Sequence, residues 1–342
     1  MIQFKTTLLL LTVPMLLMAC GKDDPTEPTP APKPAEPTET PVTPETPVAT
    51  NNTNKNDATA EPLLALLEFP KAKGGTSEVI IHKAGKYQMN YALEWDHTLR
   101  SQRWTCYELY KGIYGKNGNT RKSLWNGSDP WNYDPDVPAK EQPATFNELS
   151  KSYFPGTKDI YSKGHVCPSA DRIFTKDLNE QTFYMTNILP MVNNFNGGIW
   201  NTLEEKIRTW CGNYNSTTWS GTNFDTLYVC KGGTIDKEDQ ILDHTIASAN
   251  VSGEGAHPGN HIVPRYFFTA LLAKKGTTYK AIGFWFEHVA ENNESVPLGN
   301  FVKSISELEQ LTGIDFFCNL PDDVEKQMEA TTAEEARQQW GL

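Results

Sequence analysis

The stretch KGHVCPSADR, residues 163–172, opens the segment that decides the fold of this chain, and two further motifs complete that segment. They are TFYMTNILP (182–190) and NNFNGGIWNTLEEKIR (193–208). The middle motif is an apolar-rich run with β character. In the third motif, apolar residues recur at mostly three- and four-residue steps from Trp200 to Cys211, which predicts an amphipathic helix. Gly197-Gly198 permits a sharp turn into that helix, so the segment predicts a strand followed by a helix.

Several polar residues of this segment are spaced so that they could face one point. Glu204 and Arg208 are four residues apart, on one side of the predicted helix. Asn196 lies at or just before the first turn, where free backbone N–H groups favour an anion such as phosphate. His165 follows a glycine and could act as a base. The set offers a base, a hard oxygen ligand and a phosphate contact, although a solvated Glu–Arg pair and an ordinary loop histidine explain the spacing too.

The motifs together resemble those of the DNA/RNA non-specific endonuclease family, the ββα-metal nucleases. That family has Asp-Arg-Gly-His, then Ser/Thr-Asn-(Ile/Met)-x-Pro, Asn-x-Gly-x-Trp and Leu-Glu-x-x-x-Arg. This chain has TNILP (186–190), NGGIW (196–200) and LEEKIR (203–208) in the same order. The likeness extends from about Tyr91 to Pro321. Where the family has Asp-Arg, this chain has Ser162-Lys163, and a lysine keeps the positive charge without the bidentate fork of arginine.

The resemblance implies a hydrolase that cleaves the phosphodiester bonds of DNA and RNA with Mg²⁺, or with Mn²⁺ in its place. The implied roles are His165 as general base, Asn196 as direct metal ligand, Glu204 holding a metal-bound water, Arg208 contacting phosphate and Asn187 orienting the site. The substrate-binding residues would be Lys163, Arg172 and Arg121. A non-catalytic nucleic-acid-binding lipoprotein on the same fold is the alternative, which Ser162-Lys163 and the acidic net charge favour.

The first twenty residues predict an export signal. Lys5 precedes an apolar core, Leu8 to Met18, that is too short to span a bilayer as a stable helix. Leu17-Met18-Ala19-Cys20 resembles a bacterial lipobox, in which the cysteine becomes the lipid-modified first residue; a plain cleaved signal peptide is the alternative. We therefore expect a lipoprotein attached through Cys20 to the outer membrane or cell surface.

Residues 21–60 differ in composition from everything that follows. They hold nine of the 23 prolines, with Thr and Glu between them and almost no large apolar residue. Such a segment cannot bury enough apolar surface to fold, so it predicts an extended, disordered spacer. No second linker or internal repeat follows, and residues 61–342 are therefore predicted to form one endonuclease domain.

The net charge of −11 argues against a broad electrostatic attraction to nucleic acid. Much of this charge lies near the ends of the chain. Residues 21–60 have three Lys against seven Asp and Glu, and residues 321–342 have two basic against six acidic residues. A local basic site is compatible with this distribution, whereas a long basic stripe is not visible.

Strand and helix patterns alternate without βαβ regularity, which predicts an α+β fold on a mainly antiparallel sheet. A capped helix is predicted over Ser304–Leu311 and a terminal helix over Thr331–Trp340. The predicted strands are Glu78–His82, Asn90–Trp95, Trp104–Tyr110, Phe183–Ile188, Thr226–Cys230, Tyr266–Ala273 and Tyr279–His288.

Five cysteines remain after Cys20, an odd number for an exported protein. One or two disulfides and at least one free thiol are compatible with that count, and Cys211 with Cys230 is the favoured pair. A catalytic Cys167, two residues from His165, is a rival use of this segment.

Overall fold

The computed structural model describes residues 51–142, 153–212, 214, 224–247 and 260–342. These residues lie within one compact unit, Pro41–Leu342. The predicted signal peptide, its lipobox cysteine and most of the predicted spacer lie outside the described residues. None of the helices in the described ranges is long and apolar enough to cross a membrane.

The described strands form one large antiparallel sheet and two smaller pairs. Seven strands follow the order β1-β2-β3-β6-β9-β10-β11, while β4 pairs with β5 and β7 with β8. The strands are β1 (Ser77–Ala84), β2 (Tyr87–Asp96), β3 (Ser101–Tyr110), β4 (Tyr161–His165), β5 (Ile188–Val192), β6 (Thr226–Gly233), β7 (Ile241–Ala247), β8 (Asn260–Pro264), β9 (Tyr266–Lys275), β10 (Thr278–Glu287) and β11 (Val302–Lys303). The predicted α+β class with a mainly antiparallel sheet is confirmed.

The described helices are short and lie at the ends and faces of this sheet. They are α1 (Arg121–Trp125), α2 (Lys176–Gln181), α3 (Asn193–Phe195), α4 (Asn201–Cys211), α5 (Ile305–Thr312), α6 (Asp322–Ala330) and α7 (Ala333–Trp340). Helix α5 begins after Ser304, which forms a capping box with Glu307, and ends at Gly313 in the left-handed conformation. Thr332 caps α7 in the same way. Both predicted helices are therefore confirmed, because caps are local signals.

Alternating side chains of the large sheet supply two separate cores. On β2, Tyr91 and Leu93 belong to one cluster and Ala92 to the other. The first cluster includes Leu203 and Ile207 of α4, and the second includes Leu308 of α5. Successive residues of a strand point to opposite faces, so the sheet is covered on both sides. Hairpin β4–β5 and α4 lie on the first side, where they form the ββα unit.

One predicted strand is misplaced. Residues 183–188 were expected to be extended, but Met185–Asn187 form a 3-10 turn and the strand begins at Ile188. The backbone N–H of Asn187 bonds to the carbonyl of Tyr184, and Met185 N–H bonds to the carbonyl of Asn132 in a separate loop. The local bond closes the turn, and the tertiary bond to Asn132 helps to override the β propensity of the apolar run.

The folded unit also begins earlier than the predicted boundary at residue 61. Asn52 donates to the carbonyls of Cys318 and Leu320 at 2.8 and 2.5 Å. The buried Asn56 donates to the carbonyl of Pro70 at 3.0 Å and accepts from the N–H of Ala72. Residues 51–60, assigned to the spacer by composition, are therefore part of the folded unit, held by polar side chains rather than by apolar burial.

Candidate active site

The candidate site is built on the β4–β5 hairpin and the helical stretch that follows it. His165 pairs with Ile188 and Ser162 with Met191 across the hairpin. Gly164 leaves room for Met191, because a Cβ at residue 164 would lie 2.3 Å from Met191 Sδ and would displace that buried side chain. The helical path then runs from α3 through a wider turn at residues 196–200 into α4, with a non-helical backbone at Gly198. Asn196 thus lies inside this helical path rather than at its start.

The imidazole of His165 packs between aromatic rings and has no polar partner among the described residues. The centroids of Trp131 and Phe183 lie 5.2 Å from the His165 ring. Its Nε2 is buried without a hydrogen bond in the described structure. Burial, together with the positive charge of Arg121, lowers the pKa of His165 to about 3. The ring is therefore neutral near pH 7, the state that a proton acceptor needs.

Asn187 fixes the backbone that follows His165. Its side-chain oxygen accepts from the N–H of Cys167 at 2.8 Å. Its Nδ2 donates to the carbonyls of Cys167 and Thr182 at 2.9 and 2.8 Å. These bonds use both ends of the buried amide, so Asn187 holds the backbone at Cys167 and Thr182 in place.

Asn196 is held by the serine that precedes Lys163. Asn196 Nδ2 donates to Ser162 Oγ at 2.9 Å, and Ser162 Oγ donates to the carbonyl of Met191 at 2.9 Å. The two bonds orient the amide so that its nitrogen faces the hairpin. Its oxygen makes no hydrogen bond within the described ranges.

Glu204 belongs to a series of ion pairs that connects α4 with β6 and with Asp171. Its carboxylate accepts from Lys231 Nζ at 2.9 Å and lies 4.0 Å from the Arg208 guanidinium. Arg208 in turn pairs with Asp171 at 3.1 Å, and Asp171 accepts from the Tyr107 hydroxyl at 2.7 Å. Lys231 is fully buried. Each buried charge therefore has an opposite partner, as burial requires.

Two further cations lie beside the aromatic rings that contact His165. Arg121 forms a two-contact ion pair with Asp129, at 2.6 and 2.5 Å. Its guanidinium carbon lies 4.6 Å from the centre of the Phe183 ring, and Lys163 Nζ lies 4.3 Å from that of Trp131. Burial and the neighbouring Arg121 lower the pKa of Lys163. The site therefore has positive charge that is stacked on aromatic faces and partly exposed.

A comparison with known families decides what this arrangement is. The family model described as DNA/RNA non-specific endonuclease matches residues 75–323, from just before β1 to the start of α6. The chain belongs to this family. The resemblance based on the motifs is thereby confirmed.

Individual members of the endonuclease family match at low identity. Human mitochondrial nuclease EXOG is 24% identical over 234 residues, which are 68% of this chain and 56% of that protein. A nuclease from Nostoc sp. is 26% identical over 247 residues, 70% of this chain and 75% of that protein. The chain thus spans little more than half of the human relative. A solved EndoG/EndoGI complex shares the fold, with a TM-score of 0.53 and 19% identity over 80% of this chain and 96% of that one.

Two roles implied by the endonuclease family need correction in this chain. Arg172 was expected to bind substrate, but it is fully buried. Its guanidinium donates to the carbonyls of Asn90, Asp171 and Glu108 at 2.9–3.0 Å. Arg208 was expected to contact phosphate, but its guanidinium is buried against Asp171. Arg172 ties strands together and Arg208 holds the carboxylates, whereas Arg121 and Lys163 are the predicted substrate-binding cations that stay partly exposed.

The cysteines also differ from expectation. None of the five cysteines after Cys20 forms a disulfide in the described structure and all five are buried, so the predicted Cys211–Cys230 disulfide is wrong. Cys230 instead lies opposite Cys106 across β3 and β6. Burial raises the pKa of Cys167 to about 12. A thiol that is protonated near neutral pH is a poor nucleophile, which argues against the catalytic-cysteine alternative.

Sequence reasoning missed Lys231, Asp171, Asp129 and Trp131. For Lys231 a signal was present, because this lysine interrupts the apolar run of β6 directly before Gly232-Gly233. A lysine inside a buried strand needs an acidic partner, and Glu204 provides one. The other three residues belong to a 3-10 turn and loops, whose partners come from distant parts of the chain.

The residues around Asn196 fit a hard divalent cation. Its nitrogen is committed to Ser162, which leaves the amide oxygen as the open end. Glu204, eight residues further along the same helical path, has a carboxylate that Lys231 holds at 2.9 Å. Amide and carboxylate oxygens, together with several retained waters, are the ligands that Mg²⁺ prefers.

Proposed function

We propose that this protein is a metal-dependent endonuclease that hydrolyses the phosphodiester bonds of DNA and RNA without regard to the sugar. The observation that carries the proposal is His165, which is neutral and makes no hydrogen bond to described residues. The cations Lys163 and Arg121 lie close to this histidine. Its strand also contains Ser162, which accepts a hydrogen bond from Asn196. Family membership and the nuclease relatives support the same conclusion.

In this mechanism His165 takes the proton from the attacking water. Lys163 and Arg121 bind the phosphate, and Asn187 keeps the strand end in place. Asn196 would hold Mg²⁺, or Mn²⁺ in its place, directly, and Glu204 would hold it through a water. The bound ion would stabilise the negative charge on the phosphate and on the leaving 3′ oxygen. Because these residues contact the phosphate backbone and not the bases, we expect little preference for particular nucleotide sequences.

Incubation of the purified full chain with plasmid DNA and with RNA tests the proposal. Cleavage of both substrates that depends on Mg²⁺ and stops on chelation is the expected result. Binding of nucleic acid without cleavage, at any Mg²⁺ or Mn²⁺ concentration, would instead identify a non-catalytic nucleic-acid-binding lipoprotein.

Substitution of Ser162 should change metal dependence rather than maximal rate. Ser162→Ala removes the acceptor for Asn196 Nδ2, and one hydrogen bond is worth about 1 kcal/mol. The Mg²⁺ concentration for half-maximal cleavage should therefore rise roughly fivefold at ~1.4 kcal/mol per decade, with the rate at saturating Mg²⁺ retained. Ser162→Thr, which keeps the hydroxyl, is the matched control and should resemble wild type. An unchanged Mg²⁺ midpoint in Ser162→Ala would show that the contact does not orient Asn196.

We also propose that the protein is a lipoprotein anchored at the outer membrane or cell surface through Cys20. The lipobox-like sequence Leu17-Met18-Ala19-Cys20 and the proline-rich segment after it support this location. Cys20→Ser should abolish incorporation of a labelled fatty acid in growing cells and leave nuclease activity intact. Label retained by the Cys20→Ser protein would mean that the lipid is attached elsewhere or that no lipobox is used.

A further inference from the structure

A histidine and two aspartates form a compact cluster between strand β1 and the loop that follows Trp131. In the part of the chain that the structure describes, this is the one group of His, Cys, Asp and Glu side chains spaced to hold a metal ion. The members are His82, Asp134 and Asp136, and one ligand atom from each lies within 4.8 Å of the others. Neither the sequence motifs nor the proposed mechanism uses this cluster.

His82 is buried and its two ring nitrogens face two carboxylates. The residue is 2% exposed, and Nε2 lies 3.0 Å from a carboxylate oxygen of Asp134. Despite this short distance, Nε2 makes no hydrogen bond of good geometry among the described residues, although both carboxylates are close enough to pair with a charged His82. Nδ1 lies 3.5 Å from Asp136, which is too long for a good hydrogen bond. A buried nitrogen without a partner is costly, and a shared cation would satisfy it.

The surroundings of His82 favour positive charge. Burial lowers the pKa of His82, but the Asp134 and Asp136 carboxylates more than offset this, so its pKa is above the ordinary value. The two carboxylates bring two negative charges to one imidazole, so the cluster attracts a cation. The side chain of Asp136 is 57% exposed, which gives an ion access from solvent.

We propose that His82, Asp134 and Asp136 bind a first-row transition-metal dication of the zinc class, separate from the ion at Asn196. One imidazole nitrogen and two carboxylate oxygens, with water in the remaining position, suit Zn²⁺. Mg²⁺ and Ca²⁺ prefer all-oxygen sites. In the described structure the cluster shares no hydrogen bond or ion pair with His165, Asn196 or Glu204.

The site would fasten the Trp131 loop to the sheet. Asp134 also accepts a hydrogen bond from the Thr186 hydroxyl, next to Asn187, and its N–H bonds to Gln142. Trp131, three residues before Asp134, contacts the His165 ring. An ion bound at the cluster would therefore stabilise the loop that supports one side of the imidazole.

Zinc binding by the purified full chain tests this assignment. The measurements use an Asn196→Ala background, which removes the proposed catalytic ion, and competition with a chromogenic zinc chelator. One equivalent of Zn²⁺ per chain is expected, together with a rise in melting temperature. Asp136→Asn and His82→Asn should weaken the affinity at least ~10-fold, the scale on which even outer-shell partners of metal sites act.

Two controls keep the outcome clear. Asp136 is exposed, so Asp136→Asn should fold even if His82→Asn does not. Asp239→Asn removes an exposed carboxylate elsewhere and should bind Zn²⁺ as the background does. The assignment is overturned if no stoichiometric Zn²⁺ binds, or if Asp136→Asn binds it as tightly as Asp239→Asn. Neither result depends on whether the protein cleaves nucleic acid.

Discussion

His165→Ala should lower the rate of plasmid cleavage by about 10²–10⁴-fold while leaving nucleic-acid binding intact, since this is the usual effect of losing a general base. The imidazole makes no hydrogen bond to any described residue, so its removal leaves no polar partner unsatisfied. The Trp131 and Phe183 rings, which contact the imidazole, also pack against each other with their centroids 4.9 Å apart. They should therefore preserve the pocket when the imidazole is removed.

The measurement is the initial cleavage rate of wild type and variant at saturating Mg²⁺, with the melting temperature as folding control. His165→Gln, which fills the same space without a comparable base, should lose a similar factor. Added imidazole should restore part of the rate to His165→Ala, because it can enter the vacated space. Equal rates in wild type and His165→Ala would exclude His165 as the base.

The pH dependence of the wild type gives a second readout of the same group. An ordinary histidine loses its basic form as the pH falls through 6.5, whereas burial and Arg121 lower the pKa of His165 to about 3. The neutral form is therefore present above that value, and protonation of His165 should not limit the rate between pH 5 and 7. A rate that falls tenfold per pH unit just below pH 6.5, and loses that dependence in His165→Gln, would contradict this assignment of the pKa.

The sequence predicted those parts of the site whose signals are local. The order of the motifs predicts that His165, Asn187, Asn196 and Glu204 belong to one site. The capped helix α5 follows from Ser304, Glu307 and Gly313, which need no distant partner. Local patterns decide such features because the interacting groups are a few residues apart.

The sequence did not predict which cations face the substrate, because that depends on distant carbonyls and carboxylates. Arg172 and Arg208 differ from Arg121 only through what surrounds them. Arg172 is enclosed by backbone acceptors of β2 and β3, whereas the side chain of Arg121 is 43% exposed beside Asp129. The same limit applies to His82, whose acidic neighbours are more than fifty residues away in the chain.

The departure at Ser162 illustrates how the site tolerates a change in the family motif. A serine carries no charge to replace the aspartate, but its hydroxyl can accept from Asn196 and donate to Met191 at once. Lys163 likewise keeps a positive charge and rests on the Trp131 ring. The replaced pair therefore retains a hydrogen bond to Asn196 and a positive charge that the proposed mechanism uses for phosphate, which favours an enzyme over a non-catalytic binder.

Asn196→Ala should also abolish most cleavage, because it weakens Mg²⁺ binding. A higher Mg²⁺ concentration should therefore restore part of the cleavage rate. The substitution removes the amide oxygen proposed to hold Mg²⁺ and leaves His165 in place. Even outer-shell partners of metal ligands are worth 10–100-fold in affinity or activity, so the loss of a ligand should cost at least about 10²-fold at limiting Mg²⁺. In a Mg²⁺ titration the variant should recover part of its rate, whereas His165→Ala should stay low throughout.

Direct binding separates this effect from misfolding. Mn²⁺ affinity is measured in an Asp136→Asn background, so that the His82 cluster does not contribute. Asn196→Ala should weaken Mn²⁺ binding, while Asn196→Asp, which keeps an oxygen at the same place, should bind it at least as tightly as the parent. The Ser162 hydroxyl can turn to donate to the new carboxylate, so the aspartate variant should fold normally. If Asn196→Ala keeps both its melting temperature and its Mn²⁺ affinity, the ion is held by other residues. The metal site proposed at the Asn196 amide oxygen would then have to be abandoned.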